Sequence, residues 1–238
     1  MANDLGPDRM ILTGRPRRWF AVTVGVIVVA VIATALARQL GTRDLPYAKI
    51  LLATASVTDS VVDNLLAQGL WSETRGHGEG TLPPEARAVR LGAAIAELEL
   101  RNRRSDSSAL ASIEGVVQAL NTFPRGDDAA TAYRSLRIPA DDSALRSAAR
   151  MAERAGGQRA VRLGAWLQSA RFAAAIGDSS AFDPAVVKYA GSVAITLDAR
   201  PEIEVAVRQF GDIAGERPHN WTALSTAVEE LLRLLGTR

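Results

Sequence analysis

The chain has 238 residues with 28 Lys+Arg against 26 Asp+Glu, and it contains no cysteine, which removes disulfides, thiolate zinc sites, iron–sulfur ligation and c-type haem attachment together. Hydrophobic residues make up 47% but aromatics only 5%, so any core is built mainly from small aliphatic side chains. The dominant types favour helices, and β-branched runs with period two are nearly absent, so an all-α fold is expected.

The small positive excess sits at the start of the chain. Arg9, Arg15, Arg17 and Arg18 outweigh Asp4 and Asp8, and beyond residue 18 acids and bases balance. A nucleic-acid domain needs a basic patch and stacking aromatics, so no nucleic-acid partner is expected.

Residues 1–18 read as a short cytoplasmic segment. Trp19–Ala37, WFAVTVGVIVVAVIATALA, carries no charge. As a helix it is about 28 Å long, which matches a bilayer core. Arg17 and Arg18 stop it on one side and Arg38 on the other, and Trp19 and Phe20 suit the headgroup level. Ala35-Leu36-Ala37 offers a rival reading as a signal-peptide cleavage site, but the apolar run exceeds the roughly 7–15 residues of a signal core. An uncleaved transmembrane helix over 19–37 is therefore expected. The arginine-rich N-terminus is expected to stay cytoplasmic. That orientation predicts a single-pass protein of a bacterial inner membrane with its C-terminal domain in the periplasm. Ala21 and Gly25 form a small-xxx-small pair that can admit a second membrane helix, although an alanine-rich span produces such pairs by chance.

Residues 38–83 read as a juxtamembrane helix and a loop. From Leu45 to Leu70, Tyr47, Ile50, Leu51, Val57, Val61, Leu65 and Leu66 recur at helical spacing, predicting one long helix after a break at Gly41–Asp44. SETRGHGEGTL (72–82), followed by Pro83-Pro84, predicts a loop that is long for a compact domain. His77 in that loop would need partners to hold a metal, and the only other histidine is His219. A solvated side chain is the expected state. Trp71, at the loop's edge, is a candidate contact residue.

Residues 84–238 read as a helical-repeat domain, with helices expected over 84–103, 107–121, 128–136, 142–155, 158–176, 184–197, 201–214 and 220–235. Asp106, Asp178 and Asn220 offer N-cap oxygens, Pro184 and Pro201 suit first helical positions, and Gly156-Gly157, Gly177, Gly215 and Gly236 suit helix ends. The heptapeptide RAVRLGA occurs at 87–93 and again at 159–165, and Asp-Ser-Ser-Ala follows at the same offset at 106 and 178. Across 87–109 and 159–181, 11 of 23 positions are identical without a gap. The repeat predicts a helix, a capped turn and a second helix. Gly92 and Gly164 recur inside helices, where alanine would be favoured by about 1 kcal/mol, so a close helix–helix approach is expected at both.

The 72-residue offset is about two units of a 34-residue helical hairpin. On Leu91-Gly92 and Leu163-Gly164 the chain loosely resembles tetratricopeptide-like repeat proteins, without that family's flanking large aromatics. The resemblance implies a solenoid-like array of helical hairpins with extended faces for partners.

No phosphate-binding, dinucleotide-binding, zinc-protease or serine-hydrolase motif is present. Glu97 and Glu99 lie on different sides of a helix and do not form a ready acid/base pair. Arg125-Gly126-Asp127 reads as a turn, Trp166 as core, and no cofactor or metal is expected. The expected function is a non-catalytic, membrane-anchored scaffolding subunit. Its partners would be the lipid bilayer and other subunits of a large membrane complex. In overall organisation and arginine/alanine-rich composition the chain resembles single-anchor accessory subunits of bacterial photosynthetic reaction centre–light-harvesting complexes. That resemblance implies a brace that binds no pigment. The alternatives are a periplasmic assembly or export factor with helical repeats, and an anchored cell-wall enzyme using carboxylates such as Glu85, Glu97 or Asp178.

Overall fold

The computed structural model describes residues 45–57, 60–68 and 82–237. The chain divides into two units, Met1–Asp44 and Leu45–Arg238. The expected cytoplasmic segment and the expected transmembrane helix at 19–37 lie outside the described residues. Among the described residues no helix is long and apolar enough to cross a membrane.

The described residues form ten α-helices and one 3₁₀ turn, with no strand among them. In chain order the helices are Tyr47–Ala55 (α1), Ser60–Gln68 (α2), Pro84–Arg103 (α3), Ala109–Leu120 (α4), Asp127–Arg134 (α5), Asp142–Gly156 (α6), Gln158–Ile176 (α7), Pro184–Leu197 (α8), Pro201–Gly215 (α9) and Trp221–Gly236 (α10), with the 3₁₀ turn at Ser179–Phe182. From α3 onward the boundaries fall close to the expected ones, because the local chemistry is explicit. Asp183 accepts the amide of Ala185 at 2.8 Å and Asn220 that of Ala223 at 3.1 Å. Pro184 and Pro201 start their helices, and Gly177 ends α7 in the left-handed region at φ 71°.

The single helix expected over Leu45–Leu70 is instead two. The Ser56 amide closes back onto Ala53 and Thr54, and its hydroxyl donates to the Ala53 carbonyl at 2.7 Å. Thr54 donates to the carbonyl of Ile50 at 2.9 Å. Hydroxyl side chains that bond the local backbone compete with helix propagation, and the apolar spacing of this stretch did not register that competition.

The fold centres on α7. Fourteen of its nineteen residues are buried, on every side of the helix. It packs most extensively on α3, and also against α10, α1, α6, α2 and α8. The crossing of α3 and α7 depends on the repeated glycines. A Cβ at Gly92 would lie 1.9 Å from the Val161 carbonyl oxygen, and one at Gly164 would lie 2.0 Å from that of Val89. Val89 and Val161 are themselves repeat equivalents. Each copy therefore presses its glycine onto the same backbone position of the other, as two faces related by a local two-fold axis do. The expected close approach is present, and its partner is the other copy.

This reciprocity corrects the expectation of a solenoid. A translational array stacks each unit on its sequence neighbours alone. Here α1 from the start of the domain and α10 from its end both return to pack on α3 and α7. The repeated pair also diverges after its shared turn. In the first copy Asp106 leads directly into α4, whereas in the second Asp178 caps the 3₁₀ turn, which buries Phe182 before Pro184 begins α8.

Four of the nine aromatic residues among those described meet in one knot. Trp166, fully buried as expected, meets Phe210 edge-on at 6.1 Å, and Phe182 packs on Phe210 at 6.5 Å and Trp221 at 6.3 Å. This knot joins α7, the 3₁₀ turn, α9 and α10. A second cluster seats α1 and α2: Leu51, Val62 and Leu66 pack with Ala96 and Leu100 of α3 and with Ala165 and Phe172 of α7.

Candidate functional site

The polar groups picked out from the sequence are distributed among structural roles, and one of the strongly perturbed groups is Glu99, which the sequence reading sets aside beside Glu97. Glu99 lies on the buried side of α3 and is 2% exposed. Neither carboxylate oxygen has a hydrogen-bond partner, and the nearest opposite charge is Arg103 at 3.9 Å. Burial pushes its pKa from 4.5 up to about 7. Arg103 and Arg146 oppose that shift, and Asp142 and Glu153 reinforce it.

The Tyr133 hydroxyl of α5 is fully buried near this carboxylate and is also without a hydrogen-bond partner. Burial raises its pKa well above the phenol range, with further contributions from Glu99, Tyr47 and Glu153. Around the two, Arg103 reaches Asp142 at 3.2 Å and Glu153 pairs with Arg162 at 3.0 Å. Asn102 takes the Ala140 amide at 2.6 Å and donates to its carbonyl at 3.0 Å, which pins the approach to α6. The result is a polar seam where α3, α5 and α6 meet. Chemically it can take up or release a proton near neutrality.

Arg101, one turn from the end of α3, is held by five contacts. It donates to Glu97 at 2.9 Å, to Asp106 at 2.8 Å, to the Ser108 hydroxyl and to the Leu66 carbonyl; the fifth is a second bond to Glu97 through Nε at 3.1 Å. A groove of about 520 Å³ lies beside it, with Asp63 and Ala67 on its far wall. Burial works against the charge on Asp106, but the Ser108 amide and hydroxyl and Arg101 outweigh it and hold the carboxyl below its usual range. These charges tie together the ends of α2, α3 and α4, so they are committed to the fold.

A second groove, of about 330 Å³, is bordered by Glu85, Val89, Asp198, Arg200 and Leu235. Arg200 holds the Asp198 carboxyl below its usual range through a side-chain hydrogen bond, and also donates to the Leu234 carbonyl at 2.9 Å. Neither groove is lined by Glu99 or Tyr133.

The residues named from sequence separate clearly. Arg17, Arg18, Trp19, Ala21, Gly25 and Trp71 all lie outside the described residues, as does His77. Glu85 and Glu97 are twelve residues apart on α3, about 18 Å along its axis. That is beyond the roughly 5–10 Å of a working carboxylate pair. Asp178 is occupied as a cap, accepting the Ser180 amide at 2.9 Å. His219 packs on Trp221 at 4.9 Å, and burial followed by the charge of Arg217 lowers its pKa. Among the described residues no group of three or more His, Cys, Asp or Glu is placed to hold a metal ion.

A usable signal for Glu99 did exist. It falls seven residues after Gly92, and its repeat equivalent Arg171 falls seven after Gly164. Arg171 is 2% exposed as well, and it pairs with Glu229 of α10 at 3.3 Å. Position seven after the glycine is thus a buried charge in both copies, acidic in one and basic in the other. Comparison with protein-family models, with curated proteins and with solved structures finds no match.

Proposed function

We propose that this chain is a non-catalytic, membrane-anchored structural subunit, with Trp19–Ala37 as its single span and Leu45–Arg238 as a helical domain on the periplasmic side that braces other subunits of a membrane complex. The observation that carries the reading is the uncharged, arginine-flanked stretch at 19–37, placed seven residues ahead of the helical domain. The engagement of Arg101, Asp106 and Arg200 in tying helices together, with Asp178 spent as a local cap, supports a bracing role over a chemical one. A rigid body also suits a brace, and the direct backbone contact of α3 with α7 supplies rigidity at its centre.

The partner class is other integral-membrane subunits. Photosynthetic reaction centre–light-harvesting complexes are the assemblies whose accessory subunits the chain resembles in organisation. The test is native purification: membranes are solubilised in mild detergent and the tagged full chain is followed through size exclusion and a native gel, with mass spectrometry of the band. The expected result is a large particle in which the chain and named membrane subunits keep a fixed stoichiometry. Recovery as a lone monomer, or as a soluble protein beginning at Arg38, would contradict the reading.

A further inference from the structure

We propose that the α1–α2 edge of the helical domain lies against the lipid headgroup layer, so that the domain is held flat on the membrane and does not swing from its tether. The inference rests on the reading of Trp19–Ala37 as a span, and the occupant it names is the bilayer.

Four observations converge on this edge. First, only residues 38–44 separate the apolar stretch from Leu45, and seven residues reach about 25 Å at full extension. The start of α1 is therefore confined to the immediate neighbourhood of the surface. Second, large apolar side chains are exposed here. Leu52 is 61% exposed, Val61 44% and Val57 37%, and they lie within ten residues of one another. The other such residues among those described, Leu110 and Val205, stand alone on α4 and α9.

Third, α1 is two-sided in a way that suits an interface. Ile50, Leu51 and Thr54 face the core, while Lys49, Leu52, Ala53 and Ser56 share the outer stripe at i, i+3, i+4 and i+7. A lysine beside exposed leucine can lay its stem on acyl chains and keep its ammonium among phosphates. Fourth, the edge is held outward. Arg104 donates to the Val57 carbonyl at 2.9 Å and to Asp63 at 2.8 Å, clasping the corner to α3 and neutralising the acid beside the patch. Leu51, Val62 and Leu66 are already spent in the core, so Leu52 and Val61 cannot turn inward.

Three apolar side chains and one lysine bind lipid weakly on their own. A short tether changes that, because the effective concentration of surface reaches the millimolar range and weak contacts become occupied.

The absence of cysteine allows a direct test on the full chain in nanodiscs of phosphatidylcholine and phosphatidylglycerol. Single variants Leu52→Cys, Val61→Cys, Leu110→Cys, Val205→Cys and Val28→Cys each take a nitroxide label. Accessibility is then read with oxygen, which concentrates in lipid, and with a neutral nickel chelate, which stays in water. All four domain positions are exposed or tolerant surface sites, so folding is preserved. The expected result is an oxygen-to-nickel ratio several-fold higher at 52 and 61 than at 110 and 205, and highest at 28. If Val28 is in lipid while 52 and 61 match 205, the docking inference is overturned and the anchor reading stands. Labels at 52 and 61 shielded from both reagents would mean that protein covers the edge, which also overturns it. A water-exposed label at 28 would overturn the anchor reading and this inference together.

Discussion

Helices α3 and α7 carry the same seven residues near their starts, at 87–93 and 159–165, and end in different surroundings. Their glycines do the same work, each admitting the carbonyl of the other copy's valine. Their arginines do not. Arg87 donates to the Thr122 carbonyl and stacks 5.2 Å from the Phe123 ring, whereas its equivalent Arg159 is exposed. Arg90 donates to the Gly236 carbonyl, whereas Arg162 pairs with Glu153. Residue 99 is a buried acid without a hydrogen bond, and residue 171 is a buried base paired across to α10. The comparison teaches that a shared helix-crossing can be retained while every outward contact is rebuilt. Backbone proximity leaves no alternative to glycine, but an arginine side chain can find any nearby carbonyl or carboxylate.

The largest effect is expected where the copies are most alike. Gly92→Val or Gly164→Val places carbon on a backbone oxygen that cannot move without separating α3 from α7, and each should cost more than about 3 kcal/mol. Gly115→Ala and Gly211→Ala, where a Cβ meets nothing within 4 Å, should instead gain roughly 0.5–1 kcal/mol by improving helix propensity. Urea midpoints of the full chain in detergent micelles measure all four.

Next comes the position where the copies differ most in charge. The folded state keeps Glu99 protonated up to about pH 7, while the unfolded chain releases that proton near 4.5. Between those values the folded protein binds more protons, so stability falls as pH rises, by roughly 3 kcal/mol in all, and levels off above pH 7. In Glu99→Gln that slope should disappear, with the variant more stable than the parent at pH 8 and the gap closing toward pH 5. A slope unchanged in the variant would assign the pH dependence to another group.

Smaller losses than at Glu99 are expected at the shared turns. Asp106→Ala removes a cap and a partner of Arg101 and should cost about 2 kcal/mol, while Asp178→Ala removes a cap alone and should cost about 1 kcal/mol. Equal costs, read from thermal unfolding by circular dichroism, would show that the Arg101 contact contributes nothing.

Much of the helical pattern from Pro84 onward was legible in the sequence, because caps, prolines and terminal glycines mark the helix ends chemically. The close approach at Gly92 and Gly164 was legible for a similar reason: a helix-breaking residue written twice in the same register has a purpose. The relation between the copies was not. Self-similarity reports that two segments are alike, and a stacked translation and a face-to-face rotation leave the same trace in sequence. Glu99 was missed because it was judged against Glu97, two residues away, when its burial is set by Ile95, Leu98 and Asn102 on the same side of α3. The break between α1 and α2 was missed because hydroxyl competition near Thr54 and Ser56 is invisible to apolar spacing. The anchor candidates Arg17, Arg18, Trp19, Ala21 and Gly25, and Trp71, lie outside the described residues, so their part of the account rests on the sequence, and the label at position 28 tests the span.

The reciprocal crossing itself is tested most directly by a double-mutant cycle with Gly92→Ala and Gly164→Ala. If both glycines serve one contact between α3 and α7, the first substitution forces the helices apart and relieves the second. The double variant should then cost at least about 1 kcal/mol less than the two single costs together. Costs that add to within about 0.5 kcal/mol would mean two independent sites and would contradict the crossing.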